Sequence, residues 1–139
     1  MSVNQNSIMR VCDIMLLLDQ FPVVSEREIM KEALEKMDIF RLGIACIIDE
    51  NKKLIGILTD GDIRRKLLKV QKPLSAFYID DVLIHSVKSP TTVQSEDTLE
   101  NSIKIMSDKQ IWDLPVIDNK GILVGLLHLH PVVKALLNN

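Results

Sequence analysis

The segment Thr59-Asp60-Gly61-Asp62-Ile63-Arg64-Arg65 carries the densest set of groups suited to binding chemistry. It follows an apolar run, Gly56-Ile57-Leu58, and leads through a polar turn into residues of helical character. A helix beginning near Asp62 would offer unpaired backbone N–H groups and the positive end of its dipole, which suit a phosphate. Thr59 adds a hydroxyl donor. Asp62 can accept two hydrogen bonds from a vicinal diol such as the hydroxyls of a ribose. Gly61 allows a close approach or a backbone conformation that a side chain would obstruct. Arg64 and Arg65 can pair with phosphate if they turn inward. The same residues also suit a plain structural purpose, with Asp60 or Asp62 as an N-cap, Gly61 as a turn residue and the arginines as a solvated face. Lys66, Lys69 and Lys72 extend the basic patch, which would steer a charged ligand towards the segment.

Other candidates are sparser. His128 and His130 would share a face if both lay in a strand. Trp112, just before Asp113-Leu114-Pro115, could stack on a base or pack against its neighbours. Cys12, Cys46, His85, His128 and His130 lack the spacing of a paired metal motif, so no metal site is expected. Cys46 lies in an apolar run and reads as a small core residue. No nucleophile with an activating partner is visible, so no catalytic residue is expected.

The elements that must position these residues come in two copies. Shifting the chain by 69 positions, the distance from Val24 to Val93, aligns Met37 with Met106, Ile48-Asp49 with Ile117-Asp118, Gly56 with Gly125 and Leu67-Leu68 with Leu136-Leu137. No gap is needed from Val24 to Leu68. A smaller echo, Asp13-Ile14-Met15 against Asp81-Val82-Leu83, falls one position out of step. In the first copy Val23-Val24 is a short strand, and Ser25 stands three before Glu28 as a capping box for a helix. Ile29, Met30, Ala33, Leu34 and Met37 form one apolar stripe at helical spacing. Gly43–Ile48 and Leu54–Leu58 read as strands of a hairpin around Asp49–Lys53. In the second copy Ser95–Met106 is the helix, and Leu114–Ile117 with Ile122–Leu127 is the hairpin. The last helix opens at Pro131. The fold class is therefore α/β (α+β), a β-α-β-β-α unit repeated, with the copies packed in pseudo-twofold symmetry. Half the chain is too small to be comfortably stable alone. The expected divisions are a tail over 1–10 and repeats over 11–70 and 71–139.

Composition sets the outer bounds. The chain has 139 residues, of which 47% are hydrophobic, so it can bury a core. Aromatics are 4%, so that core is aliphatic. A net charge of -2 argues against nucleic acid as a partner. No apolar run reaches the roughly 18 residues that span a bilayer, and the first seven residues resemble no signal peptide, so a cytoplasmic, reduced setting and no membrane partner are expected.

With these residues in place, the chain resembles a pair of CBS domains (named after cystathionine β-synthase), also called a Bateman module, over about Val11 to Leu137. It is similar in particular to the regulatory CBS pair at the C-terminus of bacterial arabinose 5-phosphate isomerases. The stretches that carry the likeness are Val11-Cys12-Asp13-Ile14-Met15, Phe21-Pro22-Val23-Val24, Leu42-Gly43, Thr59 to Arg65 and Gly125-Leu126-Leu127-His128-Leu129-His130.

The resemblance implies a regulatory module that binds a nucleotide or nucleotide sugar in a cleft between the repeats and controls a sugar-isomerase domain in cis or in trans. It needs no cofactor and forms a homodimer. It puts Thr59 on phosphate and Asp62 on ribose, with Val23, Val24, Ile44 and Ala45 lining the first cleft. The second copy departs from the pattern, because His128 stands in the place of Thr59 and Pro131 in the place of Asp62. A proline cannot hold a diol. One site per chain is expected, or an altered second site using His128 and His130. The competing expectation is a structural or oligomerisation module with vestigial clefts.

Overall fold

The computed structural model describes residues 8–138. Most of the expected N-terminal tail, residues 1–7, lies outside the described residues. The chain forms two compact units, one of residues 18–90 and one that joins residues up to 17 to residues 91 onwards. These units divide the chain at other points than the sequence repeat does.

The unit of residues 18–90 contains β1 (Val23–Ser25), α2 (Met30–Phe40), β2 (Ile44–Ile48), β3 (Leu54–Thr59), α3 (Asp60–Lys69), α4 (Leu74–Tyr78) and α5 (Val82–His85). The other unit contains α1 (Val11–Ile14), α6 (Leu99–Lys109), β4 (Asp113–Ile117), β5 (Leu123–His128) and α7 (Leu129–Leu137). In the first, β1 pairs parallel to β2 and β2 antiparallel to β3. In the second, β4 pairs antiparallel to β5, and Val93 makes a parallel bridge to Val116 where β1 would stand. Both hairpins turn on an aspartate. Asp49 Oδ1 accepts from the N–H groups of Asn51 and Lys53, and Asp118 Oδ1 from those of Lys120 and Ile122.

Each unit has its own aliphatic core. Val24, Met30, Ala33, Met37, Ala45, Ile47, Leu58 and Ile63 pack with Phe77 and Val82 in one. Val11, Val93, Leu99, Met106, Leu114, Val116, Leu127 and Val132 pack in the other. Cys46 is fully buried, as a small core residue should be. Deletion of one such side chain, as in Leu58→Ala, costs about 2–5 kcal/mol.

Helices α2 and α6 begin later than their sequence signals suggest. Ser25 and Glu28 make half of a capping box: Ser25 N–H donates to Glu28 Oε1 at 3.2 Å, but Ser25 Oγ accepts from Arg27 N–H at 3.2 Å, while Glu28 N–H donates to the Ser25 carbonyl. Yet α2 starts at Met30, because the backbone around Glu28 is engaged elsewhere. Val82 N–H donates to Glu28 O and Met30 N–H to Asp80 O. The same arrangement holds α6 to a start at Leu99, with Val11 N–H on Asp97 O and Leu99 N–H on Met9 O. Segment 9–11 thus does for one unit what segment 80–82 does for the other. The short echo in the sequence is misaligned with this equivalence, since hydrogen bonding matches Val11 with Val82 and not Asp13 with Asp81.

A flanking segment also covers the open edge of each hairpin. Val87 bridges Ile57, and Leu16 bridges Leu126. The repeated glycines make these approaches possible. A Cβ on Gly56 would lie 3.0 Å from Ser86 Oγ and 3.2 Å from Val87 O, and one on Gly125 would lie 2.8 Å from Leu16 O.

Candidate functional site

Thr59 ends β3 and is the N-cap of α3. Its Oγ1 accepts from Asp62 N–H at 3.1 Å and donates to Asp62 Oδ2 at 2.7 Å. The other carboxylate oxygen of Asp62 accepts from Arg65 Nη2 at 2.8 Å. Arg65 folds back over Gly61, where a Cβ would meet its guanidinium at 3.2 Å. Capping and binding potential therefore coexist in one cluster, with Thr59 and Asp62 half-buried and Arg65 exposed. Thr59 satisfies a helix donor, while its hydroxyl, the Asp62 carboxylate and the Arg65 guanidinium stand together at the positive end of a ten-residue helix. The helix starts two residues earlier than its sequence suggests, since the cap is Thr59 and not an aspartate.

Ile44 joins this cluster as the cross-strand neighbour of Thr59. The side chains of Val24 and Ala45 belong to the core of the unit, so their backbone is what remains to meet a ligand. Val23 is half-buried, and its carbonyl accepts from Lys36 Nζ at 2.9 Å. Lys36 escaped sequence reasoning, because a lysine on a helix reads as solvated.

Asp60 does not share the cluster. At about 100° per residue, two helical positions apart point to nearly opposite sides. Asp60 lies against Gly43, where a Cβ would stand 2.6 Å from its Oδ2. It lines a separate groove of about 340 Å³ with Asp38, Arg41, Leu34, Met37 and Leu42. Arg64, four positions on, is exposed on that same side.

The equivalent positions in the other unit differ. Asp113 and His128 face each other across β4 and β5 with Nδ1 2.7 Å from Oδ1, where Ile44 and Thr59 stand in the first copy. His130 does not share a strand face with His128. The strand ends at His128, and His130 is an exposed residue in the first turn of α7. Helix α7 begins at Leu129, and Pro131 is its third residue, where a missing N–H still costs nothing. Trp112 projects, largely exposed, onto an apolar groove of about 320 Å³ between α6 and α7.

One polar network lay outside sequence reasoning. Asp80 Oδ2 accepts from Lys72 Nζ at 2.7 Å and lies 2.8 Å from Nε2 of buried His85, whose ring stacks obliquely on Phe77. The Lys72 hydrogen bond, reinforced by that of His85, holds the Asp80 carboxyl below its usual pKa. No local spacing signals this triad, because its members stand in two connecting segments and at the end of α5.

Comparison with known proteins is consistent with this architecture. The CBS domain model matches residues 7–69 and 79–138. An arabinose 5-phosphate isomerase KdsD of Pseudomonas aeruginosa is 32% identical over 134 residues, which cover 96% of this chain and 40% of that protein. The protein RP505 of Rickettsia prowazekii is 28% identical over 92% of this chain and 38% of its own length. The chain thus spans about two fifths of these relatives. Among solved structures, CBSX2 in complex with AMP superposes with a TM-score of 0.81 at 28% identity, covering 94% of this chain and 97% of that one. A CBS pair crystallised with 5′-methylthioadenosine and S-adenosyl-L-methionine gives 0.75 at 22% identity, a likeness of fold. The repeat, the two matched units and these neighbours agree: the chain belongs to the CBS domain family and is a CBS pair, a regulatory type of module.

Proposed function

We propose that this chain senses a nucleotide or nucleotide sugar through the Thr59–Asp62–Arg65 cluster and passes its state to a sugar-phosphate isomerase-type domain, in cis or in trans. The observation that carries the reading is that cluster: a hydroxyl, a carboxylate and a guanidinium gathered at the N-terminus of α3. The helix end and Thr59 receive phosphate, Arg65 adds charge, and Asp62 exchanges its present partners for the two hydroxyls of a ribose. The likeness to the AMP-bound CBSX2 supports a nucleotide as the class of ligand. The relatives among isomerases support the enzyme under control. The chain itself contributes regulation and no catalysis, acts in the cytoplasm and works as a homodimer. His128 and His130 form at most an altered second site.

A thermal-shift series with AMP, ADP, ATP, S-adenosylmethionine and CMP-sugars tests the reading. A ligand at a hundred times its Kd stabilises by about 2.7 kcal/mol. For a chain of this size that raises Tm by roughly 5–10 °C. Asp62→Ala should abolish the rise. A full rise in that variant would remove Asp62 from the site.

The alternative is a structural or oligomerisation module with vestigial clefts. It is favoured by His128 and Pro131 standing where the first copy has Thr59 and Asp62. Absence of any shift at millimolar ligand would select it.

A further inference from the structure

Both carboxylate oxygens of Asp62 are engaged. Oδ2 accepts from the Thr59 hydroxyl at 2.7 Å and Oδ1 from Arg65 Nη2 at 2.8 Å. A vicinal diol needs both oxygens, so the group standing on Oδ1 decides which ligands can take them. That group is held loosely. The Arg65 side chain is 57% exposed, against 17% for Asp62. An exposed ion pair between residues three apart on a helix adds little stability and exchanges readily.

Gly61 gives Arg65 its resting place. A glycine within a helix forgoes the stability that alanine would supply. Gly61 lies in α3, and no left-handed backbone calls for it, since Gly121 alone among the glycines has a positive φ. What a side chain would meet there is Arg65, with a Cβ 3.2 Å from each Nη atom. Residues four apart share a helix face, so the missing side chain leaves the guanidinium room beside Asp62. In the second copy the same positions are His130, Pro131 and Lys134, so glycine and arginine change together with the carboxylate.

We infer that Arg65 stands in for the ribose hydroxyls on Asp62 and yields only when a ligand phosphate takes it over, so that the site selects nucleoside phosphates over nucleosides. The inference rests on the nucleotide reading of the cluster and adds that the phosphate of the ligand is what frees the carboxylate. A nucleoside offers hydroxyls to Asp62 and nothing to Arg65. It must break the ion pair and leave the guanidinium without a partner. A phosphate supplies a new partner, in the bidentate form that arginine favours, at the positive end of α3.

Calorimetric titration of the whole chain with AMP against adenosine, and with CMP against cytidine, provides the test. The wild-type chain should prefer a monophosphate by about tenfold or more, the worth of a hydrogen bond between charged groups. Arg65→Ala should move the two affinities in opposite directions. The monophosphate should bind about tenfold more weakly. The nucleoside should bind about twofold more tightly, because the ion pair it has to break is gone. Arg65→Lys keeps the charge without the fork and should recover part of the preference. Arg65 is exposed, so far-UV circular dichroism should be unchanged in both variants. Three results would overturn the inference alone: equal binding of nucleoside and monophosphate by the wild-type chain, a preference that survives Arg65→Ala, or weakening of both ligands by that substitution. A wild-type chain that binds none of the four ligands overturns the nucleotide reading and takes the inference with it.

Discussion

The two units use the same backbone solution for different surfaces. Their hairpins share an aspartate-capped turn, an irregular pairing before it, a glycine under a crossing segment and a long helix that starts where a flanking segment leaves off. At the ends of those hairpins the side chains diverge. Ile44 opposite Thr59 becomes Asp113 opposite His128, and Gly43 beside Asp60 becomes Trp112 beside Leu129. Buried positions are constrained by packing from all sides, so the repeat persists there. Most positions at the strand ends and groove mouths meet solvent, Ile44 excepted, and there each copy carries its own chemistry. One frame thus carries a charged groove in one copy and an apolar groove in the other.

The glycines offer the strongest way to break this equivalence. Gly125→Ala forces a methyl group to within 2.8 Å of the Leu16 carbonyl and 2.7 Å of Met15 Sδ, whereas at Gly56 the nearest atoms are 3.0 and 3.2 Å away. Overpacking costs about 1–3 kcal/mol. Urea denaturation should place Gly125→Ala near the top of that range and Gly56→Ala near the bottom. Equal costs would mean that the two crossing segments press equally on their hairpins.

The turns give a smaller contrast. Lys52 and Gly121 are equivalent and both have positive φ, +65° and +84°. Only the glycine adopts it without strain. Gly121→Lys should destabilise by about 1 kcal/mol, and Lys52→Gly should be neutral or stabilising by a few tenths, read by the same denaturation.

Acid provides the mildest distinction. The Asp80 carboxyl is held low by Lys72 and His85, so its stabilising effect is complete above its ordinary value of 3.8 and fades as pH falls through the lower folded value. Its counterpart by hydrogen bonding is Met9, which has no charge to lose. Hydrogen exchange between pH 5 and pH 3 should therefore show protection falling around α4 and α5 before it falls around α1. Asp80→Asn should remove that difference. Simultaneous loss in both units would assign the acid response to other carboxylates.

Much of this was legible in the residues. Apolar runs and polar turns located both hairpins, because they depend on neighbours close in sequence. The helix starts were misplaced for the opposite reason: Ser25 and Glu28 satisfy half of a local motif, but residues 80–82 compete for the same backbone. Helices α1, α4 and α5 went unread, since segments of four or five residues carry too little periodicity. At the site, Thr59 and Asp62 were found by type and spacing. The separation of Asp60 from Asp62 followed only once the helix was seen to start at Asp60, which fixes their directions. The apolar nature of the Trp112 groove needed α6 and α7 side by side.

The way the units are closed also sets an order of assembly. Residues 18–90 form a contiguous unit, whereas the other unit is split around it, with Val11, Leu16 and their neighbours waiting for residues 91 onwards. As the chain leaves the ribosome, the contiguous unit can complete its hydrogen bonding first. The N-terminal segment must stay unpaired until the chain returns, at the entropic expense of closing a long loop. The pre-folded unit then acts as a spacer that shortens that loop, so the Thr59–Asp62–Arg65 cluster is built before the groove that carries Trp112.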